Sequence, residues 1–131
     1  MYGRYGGDTY IGGNAWILSS GALAGLFYRG AHYLLTKGVV PSASVLAQWQ
    51  VAFHSATALP NNDVKALAQI FANQGDAVLL RIRAHTAGND FTFYEQIDKN
   101  TGVQLNAKDL TWSYAEVLNA MHTRDLYYGS A

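Results

Sequence analysis

The run from Ala15 to Lys37 constrains the fold more than any other part of this sequence. Its first half, Ala15–Tyr28, is apolar nearly all round apart from Ser19 and Ser20. A helix on a protein surface shows a polar stripe, so this one is expected to be buried on most sides. Gly21, Gly25 and Gly30 weaken the helix in isolation but let neighbouring helices approach closely. Asn14 is placed as its N-cap, and Gly38 with Pro41 beyond closes it. Arg29 and His32 break the apolar run before the roughly 20 residues that span a bilayer, so no membrane partner is expected. Such a helix needs others around it.

The rest of the chain offers them. Ser42 or Ser44 caps a shorter helix through Val45, Leu46, Trp49 and Phe53, spaced at three and four. After Pro60, Asn62 is expected to cap a third helix to about Arg83, with Val64, Leu67, Ala68, Phe71, Val78, Leu79 and Ile82 as its apolar stripe. Thr86–Asp90 is a turn-rich break. Asn106 with Asp109 resembles a capping box opening a last helix to about Arg124, its buried face Leu110, Tyr114, Val117, Leu118 and Met121. No strand-like alternation runs longer than Phe91–Tyr94. Residues 1–14, with five glycines and tyrosines at 2, 5 and 10, read as loop. The expected fold is all-α, with function concentrated on the loops.

Composition removes several function classes. Nine Lys plus Arg balance nine Asp plus Glu, and no basic run occurs, so a nucleic-acid partner has no electrostatic support. Charged residues make up only 14%, which leaves little polar surface for a free-standing module. There is no cysteine, and the four histidines (His32, His54, His85, His122) form no ligand-spaced pair, so neither metal nor other cofactor is implied. The amino terminus has no apolar signal-peptide core, and the compartment is left open.

Two loops hold the groups capable of chemistry. Arg4, Tyr5, Asp8 and Trp16 lie before and at the first long helix; Glu95, Gln96 and Trp112 lie around the last. Glu95 follows Phe91, Phe93 and Tyr94, and apolar neighbours disfavour a charged carboxylate, as acid–base catalysis often requires. Charged forks, carboxylates and flat aromatic faces, without a thiol or a phosphate loop, suit a carbohydrate. Hydroxyls take bidentate donors and acceptors, and pyranose faces take aromatic rings. No nucleophile elbow is present.

These residues carry a resemblance. Gly3-Arg-Tyr-x-x-Asp8 followed by Gly13-Asn-x-Trp16 resembles the substrate-binding loop and helix start of glucoamylases, glycoside hydrolase family 15. Glu95-Gln96-x-Asp-Lys-x-x-Gly102, with Leu110-Thr-Trp-Ser-Tyr114, resembles their C-terminal catalytic loop and final helix. The resemblance implies that residues 1–131 are one fragment, the C-terminal portion, of an α/α barrel of six helical hairpins. It implies exo-acting hydrolysis of α-1,4-glucosidic bonds in starch-like glucans, releasing glucose from non-reducing ends with inversion. Glu95 then falls on the general base and Gln96 on a neighbour that positions base or water. Arg4, Tyr5, Asp8, Trp16 and Trp112 fall on substrate-binding positions. A secreted or periplasmic setting is implied as well.

The sequence departs from the family pattern at Gly6-Gly7, where Pro-Glu is usual, and at Ala15, where proline is usual. Those changes bear on substrate preference and on the leaving-group side. Inversion also needs a second carboxylic acid roughly 6.5–9.5 Å from the base. In the family that acid comes from earlier helices, which this sequence does not contain. The chain alone is therefore expected to be open, sticky and inactive unless the missing N-terminal part of the barrel is supplied. Two other readings remain: a non-catalytic helical module that binds sugars or partner helices, and a different six-hairpin enzyme such as a trehalase or glucodextranase relative.

Overall fold

The computed structural model describes residues 1–130. Four α-helices carry it: α1 (Ile17–Lys37), α2 (Ala43–Ala52), α3 (Val64–Thr86) and α4 (Thr111–Ser130). Three two-residue strands, β1 (Ala15–Trp16), β2 (Gln96–Ile97) and β3 (Gln104–Leu105), form an antiparallel sheet in that order. Trp16 lies opposite Gln96 and Ala15 opposite Ile97, while Tyr2 bridges to the other edge of Trp16. The sheet was not visible in the sequence because a two-residue strand has no alternation to read. The stretch Phe91–Tyr94 is not a strand. It is irregular backbone held by side chains: Gln104 Nε2 donates to the Thr92 carbonyl at 2.9 Å, and its Oε1 accepts from Tyr94 N at 3.0 Å.

Helix α1 is central, with α3 packed along one side and α4 along the other, and α3 and α4 scarcely meeting each other. Close approach on the α4 side needs Gly21, where an added Cβ would lie 3.1 Å from the Glu116 carbonyl carbon. The facing surface of α4 is accordingly made of Ser113, Val117, Ala120, Thr123 and Tyr127, all buried. This corrects the stripe expected from sequence, of which Val117 is buried while Leu118 and Met121 are 62% and 49% exposed. Small residues won the contact because the helices are too near for leucine and methionine.

On the other side, a Cβ at Gly75 of α3 would lie 2.7 Å from Tyr28 Cζ, so the hydroxyl end of the α1 tyrosine ring lies against bare backbone. The Tyr28 hydroxyl donates to Asp76 Oδ1 at 2.7 Å, Arg124 Nε donates to the same oxygen at 2.8 Å, and the Tyr128 hydroxyl donates to Oδ2 at 2.7 Å. One carboxylate thus joins α1, α3 and α4. Burial pushes the Asp76 carboxyl up, but the donors Arg124, Tyr128 and Tyr28 outweigh it and leave the pKa below the ordinary value. Helix α2 is tied in by rings: Phe53 and Trp49 each lie 4.9 Å from Phe71, with Phe27 edge-on to both.

Helix ends differ from expectation in informative ways. Trp16, not Asn14, occupies the N-cap position of α1, because β1 pairing holds the preceding residue extended. Asp63 rather than Asn62 caps α3, its carboxylate accepting from Ala66 N at 2.9 Å. Helix α4 begins at Thr111, not at Asn106, since Asn106 and Asp109 both take left-handed backbone angles (φ 66° and 49°). No capping box forms there; the Asp109 carboxylate accepts from the Tyr114 hydroxyl at 2.8 Å instead.

Candidate active site

The first loop is built around a fork. Arg4 Nε and Nη2 donate to Asp8 Oδ2 and Oδ1, both at 2.8 Å, and Tyr10 N donates to Oδ1 at 3.0 Å. The Arg4 fork, helped by the Tyr10 amide, holds the Asp8 carboxyl down at about 2, so Asp8 is ionised at any ordinary pH. With one face of its fork spent on Asp8, the guanidinium plane lies on aromatic rings, 4.6 Å from the centroid of Tyr10, 5.0 Å from Trp16 and 5.5 Å from Tyr5. Trp16 in turn meets Trp112 edge-on, centroids 6.3 Å apart. Gly13 permits the loop to close: at φ 64°, a side chain there would overlap the Asp8 carbonyl oxygen.

The second loop is laid against the first by backbone. Ile17 N, the first amide of α1, donates to the Glu95 carbonyl at 3.3 Å, and Glu95 N donates to the Ala107 carbonyl at 2.9 Å. Side chains continue the join. Asn14 Nδ2 donates to Gln96 Oε1 at 3.2 Å and to the Ile11 carbonyl at 2.9 Å, while Asn14 Oδ1 accepts from Lys99 N at 3.3 Å. Lys99 Nζ reaches the Gly12 carbonyl at 2.7 Å. Asp98 accepts from the Asn100 and Thr101 amides and keeps the following turn closed.

Glu95 is half-buried as a residue, and its Oε2 accepts from Gln96 Nε2 at 3.5 Å. The aromatic residues preceding it are committed elsewhere. Phe91 and Phe93 line a cavity of about 490 Å³ between α3 and α4, Phe93 stacking on Tyr114, and Tyr94 carries the Lys108 ammonium on its ring. Adjacency in sequence did not become adjacency in space, because an irregular strand-like stretch throws its side chains to different sides. Helix α4 holds the loop through Ser113, whose hydroxyl donates to the Tyr94 carbonyl at 3.0 Å.

Arg4, Tyr5, Asp8, Trp16 and Trp112 therefore form one continuous stack, and the Trp16–Gln96 strand pair joins the Glu95–Gln96 backbone to it at Trp16. Exposure is uneven: Tyr5 and Trp112 are open, whereas Trp16 and Gln96 are buried. Three members were not among the expected site residues. Tyr10 offers the ring nearest Arg4, and its offset of two from Asp8 is that of an aspartate turning back onto a backbone amide. Asn14 and Lys99 stood within the motifs, Asn14 as the expected N-cap, but their link to each other and to Gln96 could not be read, because it depends on a partner loop distant in sequence. Among the described residues no group of three His, Asp or Glu is placed to hold a metal, and no helix is long and apolar enough to cross a membrane. Apart from Glu95, the stack contains one carboxylate, Asp8, and Arg4 occupies both of its oxygens.

The fold is a helical scaffold whose two loops, joined by the β1–β2 pairing, present a cation stacked on aromatic rings and a glutamate–glutamine pair. The profile of the glycosyl hydrolases family 15 matches residues 1–122, and the chain belongs to that family. It is 32% identical to glucoamylase 1 of Rhizopus oryzae over 133 residues, covering 93% of this chain and 22% of that protein. It is 34% identical to a glucoamylase of Blastobotrys adeninivorans, with 94% and 22% covered. The family 15 glucoamylase structure from Hypocrea jecorina superposes with a TM-score of 0.80 at 29% identity, over 95% of this chain and 22% of that one. The chain thus spans about a fifth of these relatives, over their C-terminal part, and its helices are a portion of their α/α barrel.

Proposed function

We propose that this chain contributes the general base and part of the substrate site to a glucoamylase-type enzyme that releases glucose from the non-reducing ends of α-1,4-glucans with inversion, in a secreted or periplasmic setting. The observation that carries the reading is the union of the two loops. The β1–β2 pairing sets Gln96, the neighbour of Glu95 in the chain, opposite Trp16, whose ring together with that of Tyr10 carries the Arg4 guanidinium. In this reading the Asp8-held Arg4 and the open faces of Tyr5 and Trp112 take sugar hydroxyls and ring faces. Glu95 accepts a proton from a water as its oxygen bonds to the anomeric carbon, while a carboxylic acid on the opposite face protonates the departing glycosidic oxygen.

That acid is not in the stack, since Asp8 is fully engaged and ionised. The remaining barrel helices, supplied by further chain or by a partner, must bring it. The 131 residues alone should release no glucose from maltose or starch. In the longest native form, Glu95→Gln should lower kcat by about 10²–10⁴-fold with KM nearly unchanged. Turnover that survives Glu95→Gln removes Glu95 from the role; turnover by the 131 residues alone removes the need for a second part.

A further inference from the structure

We propose that Asn14 is a positioning residue for Glu95, acting through Gln96. The proposal rests on the reading of Glu95 as the base, and its argument is one of donor and acceptor accounting. An asparagine or glutamine amide can be turned end for end with little change in shape, so only its partners fix which end faces where. Asn14 has two partners whose character is beyond choice. The Ile11 carbonyl can only accept, so Nδ2 faces it at 2.9 Å; the Lys99 backbone amide can only donate, so Oδ1 faces it at 3.3 Å.

The orientation of Asn14 settles that of Gln96. The second Nδ2 proton of Asn14 points to Gln96 at 3.2 Å and requires an acceptor, so Oε1 must face Asn14. Nε2 is thereby turned to Glu95, 3.5 Å from Oε2. Were Gln96 reversed, two NH₂ groups would face each other and a carbonyl oxygen would face the carboxylate. Both side chains are enclosed, Asn14 at 6% and Gln96 at 0% exposure, so water cannot stand in for a lost partner without cost. Backbone of two loops thus specifies the donor presented to the base, by way of two amides. The 3.5 Å separation leaves room for that contact to shorten when substrate and water arrive.

The same chain explains why Gln96 is buried although it belongs to the site: it touches Glu95, not sugar. Asn14→Asp tests this with a near-isosteric change. The aspartate keeps the acceptor for Lys99 N but loses the donor, so Gln96 turns its NH₂ toward residue 14 and its carbonyl toward Glu95. In the longest native form we expect kcat on maltose to fall about tenfold or more, within the 10²–10⁴ of the base itself, with KM little changed. In a Gln96→Leu background the further loss from Asn14→Asp should vanish, since residues acting through one another are non-additive. A structural role would instead give additive losses and unchanged orientation. Side-chain amide cross-peaks read the orientation without activity: contacts from the Gln96 NH₂ protons to the Glu95 side chain should disappear in Asn14→Asp. Retention of those contacts, or additive losses, overturns the proposal. A Glu95→Gln enzyme with normal turnover overturns the base assignment instead, whatever the amides do.

Discussion

Asp8 shows how a single residue can be charged and yet unavailable. Its two oxygens serve Arg4 and the Tyr10 amide, and its carboxyl is held near 2 against an ordinary 3.8. A depressed native pKa means that the stabilisation is fully present above the ordinary value and is lost as pH falls through about 2. The fork should therefore be intact at every pH well above 2. A carbon-detected NMR titration should find the Asp8 midpoint near 2, and Arg4→Ala should return it toward the ordinary value. A midpoint near 4 in the unaltered protein would mean that the fork is not formed in solution. At this scale the sequence was partly legible. Arg4, Asp8, Asn14, Glu95 and Gln96 stand in recognisable motifs, but which of them orients which cannot be read there, because Asn14 and Gln96 meet only when β1 pairs with β2.

Among the elements, α1 and α3 were readable because long apolar stripes have one interpretation, whereas the face of α4 was not. The expected stripe and the true one interleave at the same helical spacing, and hydrophobicity favours the wrong one. What decides is distance: bare backbone at Gly21 admits Val117, that at Gly25 admits Ala120, and the larger Leu118 and Met121 stay outside. The α1–α3 contact depends on Gly75 in the same manner. Gly75→Ala would drive a methyl group into the Tyr28 ring and drag its hydroxyl off Asp76, loosening the junction of three helices. Helix propensity favours alanine by up to about 1 kcal/mol, but overpacking typically costs roughly 1–3 kcal/mol, so net destabilisation is expected. Thermal unfolding should report a lowered Tm; an unchanged or raised Tm would show that Tyr28 moves freely.

The whole molecule shows apolar surface on the side away from α1. Leu80, Phe91 and Met121 are each about half exposed or more around the 490 Å³ cavity between α3 and α4, and Leu118 of α4 is 62% exposed. Contiguous apolar surface of this kind marks an interface. Relatives that share this portion carry several times its length, so the fitting expectation is that the 131 residues self-associate when purified alone. Sedimentation velocity across a concentration series should show mass rising with concentration, and Leu118→Lys with Leu80→Lys should suppress it. A concentration-independent monomer would mean that these side chains are tolerated in water. The barrel portion as such was legible only through the paired motifs, since nothing local in four helices announces how many more complete the ring.

The link between Asn14 and Gln96 spans 82 positions. At a synthesis rate of roughly 5–20 residues per second, about 4–16 s separate the emergence of those two side chains from the ribosome. Throughout that interval the arginine loop has no sheet to join, and the glycine face of α1 has no α4 to receive. The site is thus a late product of synthesis, and the nascent chain must shield its most apolar helix until the last of its own helices emerges.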